Sequence, residues 1–242
     1  MGDHQYVWLV WSSTFLVPWA VLWVVFPAHR RAMWWASVFT SPFGLTQPLF
    51  VPEYWSPPSL FNLAARTGFD IESLIFCFGI GGVGAVLYNV ITRSSLERMS
   101  DEERSAPLHR HHYKALSAPF VVFPILYLLP VNPIYSGIAA MVVGSVTTVL
   151  CRPDLKHKTW VGGVIFTLYY ALFVFGLEWL SPGYVEHVWN LDLLSGVLVG
   201  PVPLEELGFA FAFGLYWSGV YDHFTWRRSS PGSHRGLRRP GR

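Results

Sequence analysis

The sequence predicts an all-α integral membrane protein of seven transmembrane helices, on three observations. Charged residues fill only 13% of the 242 positions, against 52% apolar, where an ordinary soluble domain is about 25% charged. The charges are bunched, and the nearly uncharged stretches between them run about 17 to 22 residues, enough to span roughly 30 Å of hydrocarbon. When seven spans are drawn with the N-terminus outside, sixteen of the seventeen lysines and arginines fall on the inner side and only Arg66 lies outside, the asymmetry expected of cytoplasmic loops. A soluble enzyme is excluded, the C-terminus is cytoplasmic, and the location is the inner (cytoplasmic) membrane, multi-pass, with the bilayer as partner and no nucleic acid.

The spans fall at 6–26, 32–50, 71–91, 115–131, 133–151, 159–180 and 204–224. The first is followed, not preceded, by basic residues (His29, Arg30 and Arg31), the reverse of a cleavable leader, so it reads as a retained helix. Pro42 and Pro48 interrupt the second span, and Pro119, Pro124 and Pro130 punctuate the fourth; neighbouring helices can satisfy the carbonyls that proline frees. From Thr225 onward the chain is rich in Arg, Gly, Ser and Pro, which reads as a disordered basic tail near anionic lipid. Cys77 and Cys151 offer neither a zinc cluster nor a disulfide framework; no metal and no cofactor is expected.

The chain also repeats itself. At a constant offset of 133, Glu72 matches Glu205, Leu74 matches Leu207, Phe76 matches Phe209, Phe78 matches Phe211, Gly81 matches Gly214 and Tyr88 matches Tyr221. Trp55 and Trp189 in the upstream loops match at an offset of 134. Spans one to three and five to seven therefore read as two parallel three-helix repeats joined by a linking helix. The organisation is 1–114 for the first repeat and a cytoplasmic loop, 115–131 for the linking span, 132–224 for the second repeat and 225–242 for the tail. Repeats of this kind place function at their interface.

Acids at the start of an apolar span have a bland role, since a helix N-terminus favours them. Here Glu72 and the Glu205-Glu206 pair recur in both repeats, each followed by phenylalanines. Glu206, Phe209, Phe213 and Trp217 fall near one helical face, a carboxyl above an aromatic wall. Shielding from water favours the neutral acid, and aromatic faces stabilise a nearby cation. A general acid over such a wall can protonate an alkene of a lipid-soluble isoprenoid, let it cyclise, and take a proton back. Glu72, Glu205 and Glu206 are the candidate acid/base groups, and Phe76, Phe78, Phe209, Phe213 and Trp217 the candidate substrate wall.

At these positions the chain resembles the integral-membrane lycopene cyclase domain family, the heterodimeric or fused type of carotenoid cyclase. The resemblance rests on Ile71-Glu72-Ser73 with Phe76, on Pro203-Leu204-Glu205-Glu206 with Phe209, and on Trp55-Ser56-Pro57-Pro58-Ser59-Leu60-Phe61 leading to Gly68. It implies conversion of the ψ-ends of lycopene to β-rings without net redox change, by Glu205 or Glu206 as proton donor with Glu72 as counterpart. It also implies a membrane-embedded carotenoid or other isoprenoid as substrate, and a second copy or other carotenoid-pathway enzymes as partners. The first half departs from the family's P-x-E-E-like pattern: Asp70-Ile71-Glu72-Ser73 has neither the proline nor the second carboxylate. Gly79-Ile80-Gly81-Gly82-Val83-Gly84 lies inside a span and reads as a helix-packing surface, not a nucleotide loop.

Two alternatives stand beside this reading. A seven-helix transporter or lipid-binding protein would also use membrane carboxylates, along a path across the membrane. A metal-dependent enzyme at the inner face would use His109-x-His111-His112, which otherwise reads as histidines of a basic loop. A retinal protein is excluded because Lys114, Lys156 and Lys158 all sit in or beside cytoplasmic loops.

Overall fold

The computed structural model describes residues 4–231, and most of them are helical. Among the described residues, four helical stretches are long and apolar enough to cross a membrane: Val7–Val25, Ile71–Ile91, Pro133–Cys151 and Pro153–Leu180. The first is α1 (Val7–Thr14) followed by α2 (Leu16–Val25). Pro18 has no N–H for the carbonyl of Thr14, so the ladder breaks at Phe15. The expected span 32–50 is α3 (Arg30–Thr40) continued as a 3-10 helix over Ser41–Leu49; Pro42 and Pro48 withhold the donors that an α-helix would use there. The short α4 (Leu63–Thr67) lies in the loop before α5 (Ile71–Ile91). Asp70 caps α5, its carboxylate accepting the Ser73 N–H at 2.5 Å.

Strand β1 (Ser94–Arg98) and the four-residue α6 (Asp101–Arg104) lead to α7 (His112–Tyr127), which carries Pro119 and Pro124 inside it. Then come α8 (Pro133–Cys151), α9 (Lys156–Leu180) and α10 (Tyr184–Val188), followed by a small hairpin of β2 (Leu198–Val199) and β3 (Val202–Pro203). The last helix, α11 (Leu204–Thr225), is 22 residues long and carries three buried carboxylates, Glu205, Glu206 and Asp222.

Two central helices organise the bundle. Helix α5 packs against α1, α2 and α3, helix α11 packs against α8 and α9, and α5 and α11 pack on each other. Missing side chains permit the approach. A Cβ at Gly84 would lie 2.9 Å from the Phe213 ring, and one at Gly214 would lie 2.7 Å from the carbonyl oxygen of Gly162. Gly81 and Gly82 sit directly against Thr40 and against Trp19 and Ser37, so the glycine run is a packing surface. Outward, long apolar side chains such as Val17, Leu168 and Leu172 are exposed, as on a lipid-facing surface.

The segment expected to begin a disordered tail is ordered up to Pro231. Trp226 takes a left-handed conformation after α11, and β4 (Arg227–Pro231) pairs antiparallel with β1, from Ser94 opposite Pro231 to Arg98 opposite Arg227. The pairing gives the backbone the partners that composition does not reveal, and Arg152 Nη2 adds a bond to the Arg227 carbonyl at 2.6 Å. The remaining tail, 232–242, lies outside the described residues. Two basic residues assigned to an inner loop are also buried: Arg152 makes a two-bond pair with Asp154 at 2.8 and 2.7 Å, and Lys158 Nζ lies 2.8 Å from Asp222 Oδ2.

Lys158 is 2% exposed and Asp222 fully buried. Removing one partner leaves a buried charge uncompensated, at a cost of about 3–5 kcal/mol, whereas replacing both with apolar groups is often near neutral. Lys158→Met is therefore expected to lower the unfolding midpoint in detergent sharply, and Lys158→Met with Asp222→Leu to recover most of the loss. An additive double variant would show that the pair is not coupled.

Candidate active site

Between the two central helices lies an apolar cavity of about 340 Å³, lined from α1, α5, α7, α8, α9, α11 and the 3-10 segment. No lysine, arginine or histidine lines it among the described residues, and Glu206 is the only carboxylate that does. Its volume falls in the range of small-molecule sites, about 300–1,000 Å³.

Glu206 is 4% exposed, so each of its oxygens needs a protein partner. Oε1 accepts from the Tyr54 hydroxyl and from Trp189 Nε1 at 2.8 Å, and Oε2 accepts from the Tyr170 hydroxyl at 2.6 Å. All three donors line the same cavity. Tyr170 comes from α9. Tyr54 and Trp189 come from two loops that pair with each other: Ser56 N–H donates to the Val188 carbonyl at 2.8 Å and Asn190 N–H to the Tyr54 carbonyl at 2.9 Å, around an antiparallel bridge between Trp55 and Trp189. Burial pushes the Tyr54 phenol well above its ordinary range, and the charge of Glu206 adds to this, so Tyr54 remains a proton-bearing donor. Because Oε2 accepts only one bond, it keeps one position open for a proton of the carboxyl's own.

Below the carboxyl the wall is aromatic. Phe209, Phe213 and Trp217 follow Glu206 down one face of α11, with ring centroids 5.9 and 5.3 Å apart in succession. Phe76 faces them from α5, 6.2 Å from the Tyr170 ring and 5.1 Å from Phe15. All of these line the cavity. Phe78 does not: it packs against Trp19 and Trp34, at 5.2 and 6.0 Å, because two residues of helix turn it away from Phe76 by about 200°.

The other candidate acids sit elsewhere. Glu205 lies off the cavity wall, where its Oε1 accepts from the Tyr135 hydroxyl at 2.5 Å and from the Ser195 N–H at 2.8 Å. Glu72 is also off the wall, its Oε1 accepting the Leu60 N–H at 2.6 Å. In both, Oε2 is buried without a hydrogen-bond partner. Glu178 likewise holds a turn, taking the N–H groups of Gly183 and Val185 at 2.6 and 3.0 Å. The residue at the place of Glu206 in the first half is Ser73, which lines the cavity and donates to Gln47 Oε1 at 2.9 Å.

Tyr54, Tyr170 and Trp189 are not among the candidate site residues that the sequence offers. Trp189 had a signal, its match with Trp55; Tyr54 and Tyr170 had none beyond their aromatic character. A separate cluster of metal-ligating side chains, His112, Cys151 and His223, lies toward the opposite end of α11.

The family model described as lycopene cyclase matches residues 132–224, from the residue before α8 almost to the end of α11. The matched segment, similar to lycopene cyclase, contains Tyr170, Trp189, Glu206 and the α11 aromatic wall. No curated protein and no solved structure matches the chain.

A bond from a backbone amide to a charged acceptor contributes about 1.5–3 kcal/mol. Glu72→Ala is expected to speed hydrogen exchange at the Leu60 amide by roughly ten- to a hundredfold, with little change at Trp189. Unchanged protection around Leu60 would mean that Glu72 does not hold this loop.

Proposed function

We propose that this membrane protein, whose residues 132–224 match lycopene cyclase, closes the end group of a carotenoid or related isoprenoid by proton-initiated, non-redox cyclisation. The observation that carries the reading is Glu206: a buried carboxyl, held only by neutral donors, on the wall of a cavity that is otherwise apolar and aromatic.

The chemistry balances with one proton. Glu206 transfers a proton to the terminal alkene of a linear ψ-end, leaving a tertiary carbocation. The next alkene of the chain attacks it, closing a six-membered ring and moving the positive charge into the ring. Loss of a ring proton to the Glu206 carboxylate forms the β-ring alkene and restores the acid. Tyr54, Tyr170 and Trp189 offer hydrogen bonds to the carboxylate while it exists, a stabilisation that is larger where water is excluded. Phe76, Phe209, Phe213 and Trp217 face the cation with their rings. Glu72 and Glu205 act as positioning residues, each tethering the loop that precedes its helix.

In this reading the chain crosses the inner membrane seven times with its N-terminus outside. The first and second halves are parallel repeats, α5 and α11 are their equivalent helices, and the cavity lies between them. The parallel between Glu72 on Leu60 and Glu205 on Ser195 supports the repeat, each acid accepting a loop amide 12 or 10 residues upstream. A transporter is less well served, because Glu72, Glu178 and Glu205 hold backbone amides and do not line a path with Glu206.

Expression in a bacterial strain that accumulates lycopene tests the proposal. The intact protein is expected to yield monocyclic or bicyclic carotene. Glu206→Gln is expected to lower the yield by at least about a hundredfold, the usual worth of a general acid, and Glu205→Gln by less than about tenfold, in proportion to a lost positioning contact. Unchanged lycopene with well-inserted protein, or undiminished cyclisation by Glu206→Gln, would overturn the reading.

A further inference from the structure

His112 opens α7, Cys151 closes α8 and His223 lies in the last turn of α11. All three are buried, His223 completely, and one ligating atom from each falls within 4.8 Å of the others. The triplet His109-x-His111-His112 is thus divided by the fold: His112 enters the cluster, while His111 stays exposed. Cys151 Sγ lies 3.7 Å from His112 Nδ1 and 3.7 Å from His109 Nδ1. Zinc bonds of about 2.3 Å to sulfur and 2.0–2.1 Å to nitrogen set tetrahedral S and N ligands about 3.6 Å apart.

His223 gives an independent sign. Its Nδ1 is 3.1 Å from Thr148 Oγ1, and its Nε2 is buried with no hydrogen-bond partner. With Nδ1–H donating to Thr148, the Nε2 lone pair is free and fixed in direction, the arrangement usual for a metal-bound imidazole. An orphan buried nitrogen is otherwise costly. Trp226 covers the cluster, stacking on the His112 ring at 3.9 Å. Arg152 is the nearest buried cation, and its pairing with Asp154 offsets its charge.

We propose that His112, Cys151 and His223 bind one zinc ion, with half-buried His109 beside them, its Nδ1 3.7 Å from Cys151 Sγ. Binding releases the Cys151 thiol proton to solvent and involves no electron transfer. The three ligands come from three different helix ends, so the ion has a structural role in holding them together. It fastens the linking helix α7 to the ends of α8 and α11, about 26 Å along α11 from Glu206. The sequence shows only His109-x-His111-His112 as a partial box, since Cys151 and His223 lie 39 and 111 positions beyond His112.

The inference is independent of the cyclisation reading, and its test reads metal, not turnover. The full chain, purified in detergent from zinc-supplemented cells and dialysed, is expected to retain about one zinc per chain by elemental mass spectrometry, as a buried site with thiolate and imidazole ligands does. After exchange with cobalt(II), the intact protein and Cys77→Ser are expected to show a thiolate-to-cobalt charge-transfer band that Cys151→Ser lacks. Less than about a tenth of a zinc per chain with no band on cobalt titration would overturn the proposal, on the same stoichiometric expectation. So would a band that persists in Cys151→Ser. The first outcome is read on the unaltered protein and stands even if the variant fails to fold.

Discussion

The burial of the Glu206 carboxyl is the constraint on which the rest of the arrangement depends. An ionised carboxylate cannot leave water without compensation, and an unpaired one would simply stay protonated. At Asp222 the compensation is a cation, Lys158 at 2.8 Å. At Glu206 it is a set of neutral donors, Tyr54, Tyr170 and Trp189. Neutral donors are weaker partners than a lysine, so several must converge, and each must be held. That requires Tyr170 on α9 to face α11, and it requires the two loops at 54–56 and 188–190 to pair. Glu72 and Glu205 then hold the loop segments around Leu60 and Ser195. Much of the polar structure at this end of the bundle therefore serves one side chain.

Adjacent glutamates acquire different work because one residue of helix is a turn of about 100°. Glu206 continues into Phe209, Phe213 and Trp217 and faces the cavity, while Glu205 faces Tyr135 and Ser195. The internal match in the sequence pairs Glu72 with Glu205, so it pairs two loop tethers. The carboxyl that faces the cavity has no acidic counterpart, because Ser73 stands in its place. Similarity between the halves marks the helix starts but leaves Glu205 and Glu206 both open as proton donor; the cavity takes Glu206, on the face that carries Phe209, Phe213 and Trp217.

Local patterns made much of the fold legible. The helical stretches 7–25, 71–91 and 133–151 coincide closely with apolar runs, since burial or lipid exposure on all sides leaves no polar periodicity to misread. The glycines of α5 announced a close packing surface. What stayed hidden was long-range pairing between residues whose own chemistry is ambiguous. Tyrosine and tryptophan near a span end usually anchor at the headgroups, yet Tyr54 reaches Glu206 across 152 positions. Strand β4 was hidden for the same reason: its Arg and Ser composition reads as disorder, and its partners, β1 and Asn89, lie well over a hundred positions away.

The two ends of α11 use opposite means to bury polar groups, and the proposed reaction explains why they are kept apart. A fixed ammonium or guanidinium beside the cavity would favour the carboxylate over the acid, and it would repel a carbocation formed against the aromatic wall. Low dielectric makes both penalties larger than they would be in water. Lys158 and Arg152, the buried lysine and arginine among the described residues, instead lie at the far end, roughly 24 Å along the helix. There they close contacts with β4 that involve Asp222, Ser229 and the Arg227 carbonyl. The cavity wall can remain free of positive charge because the buried cationic contacts of the bundle are made elsewhere.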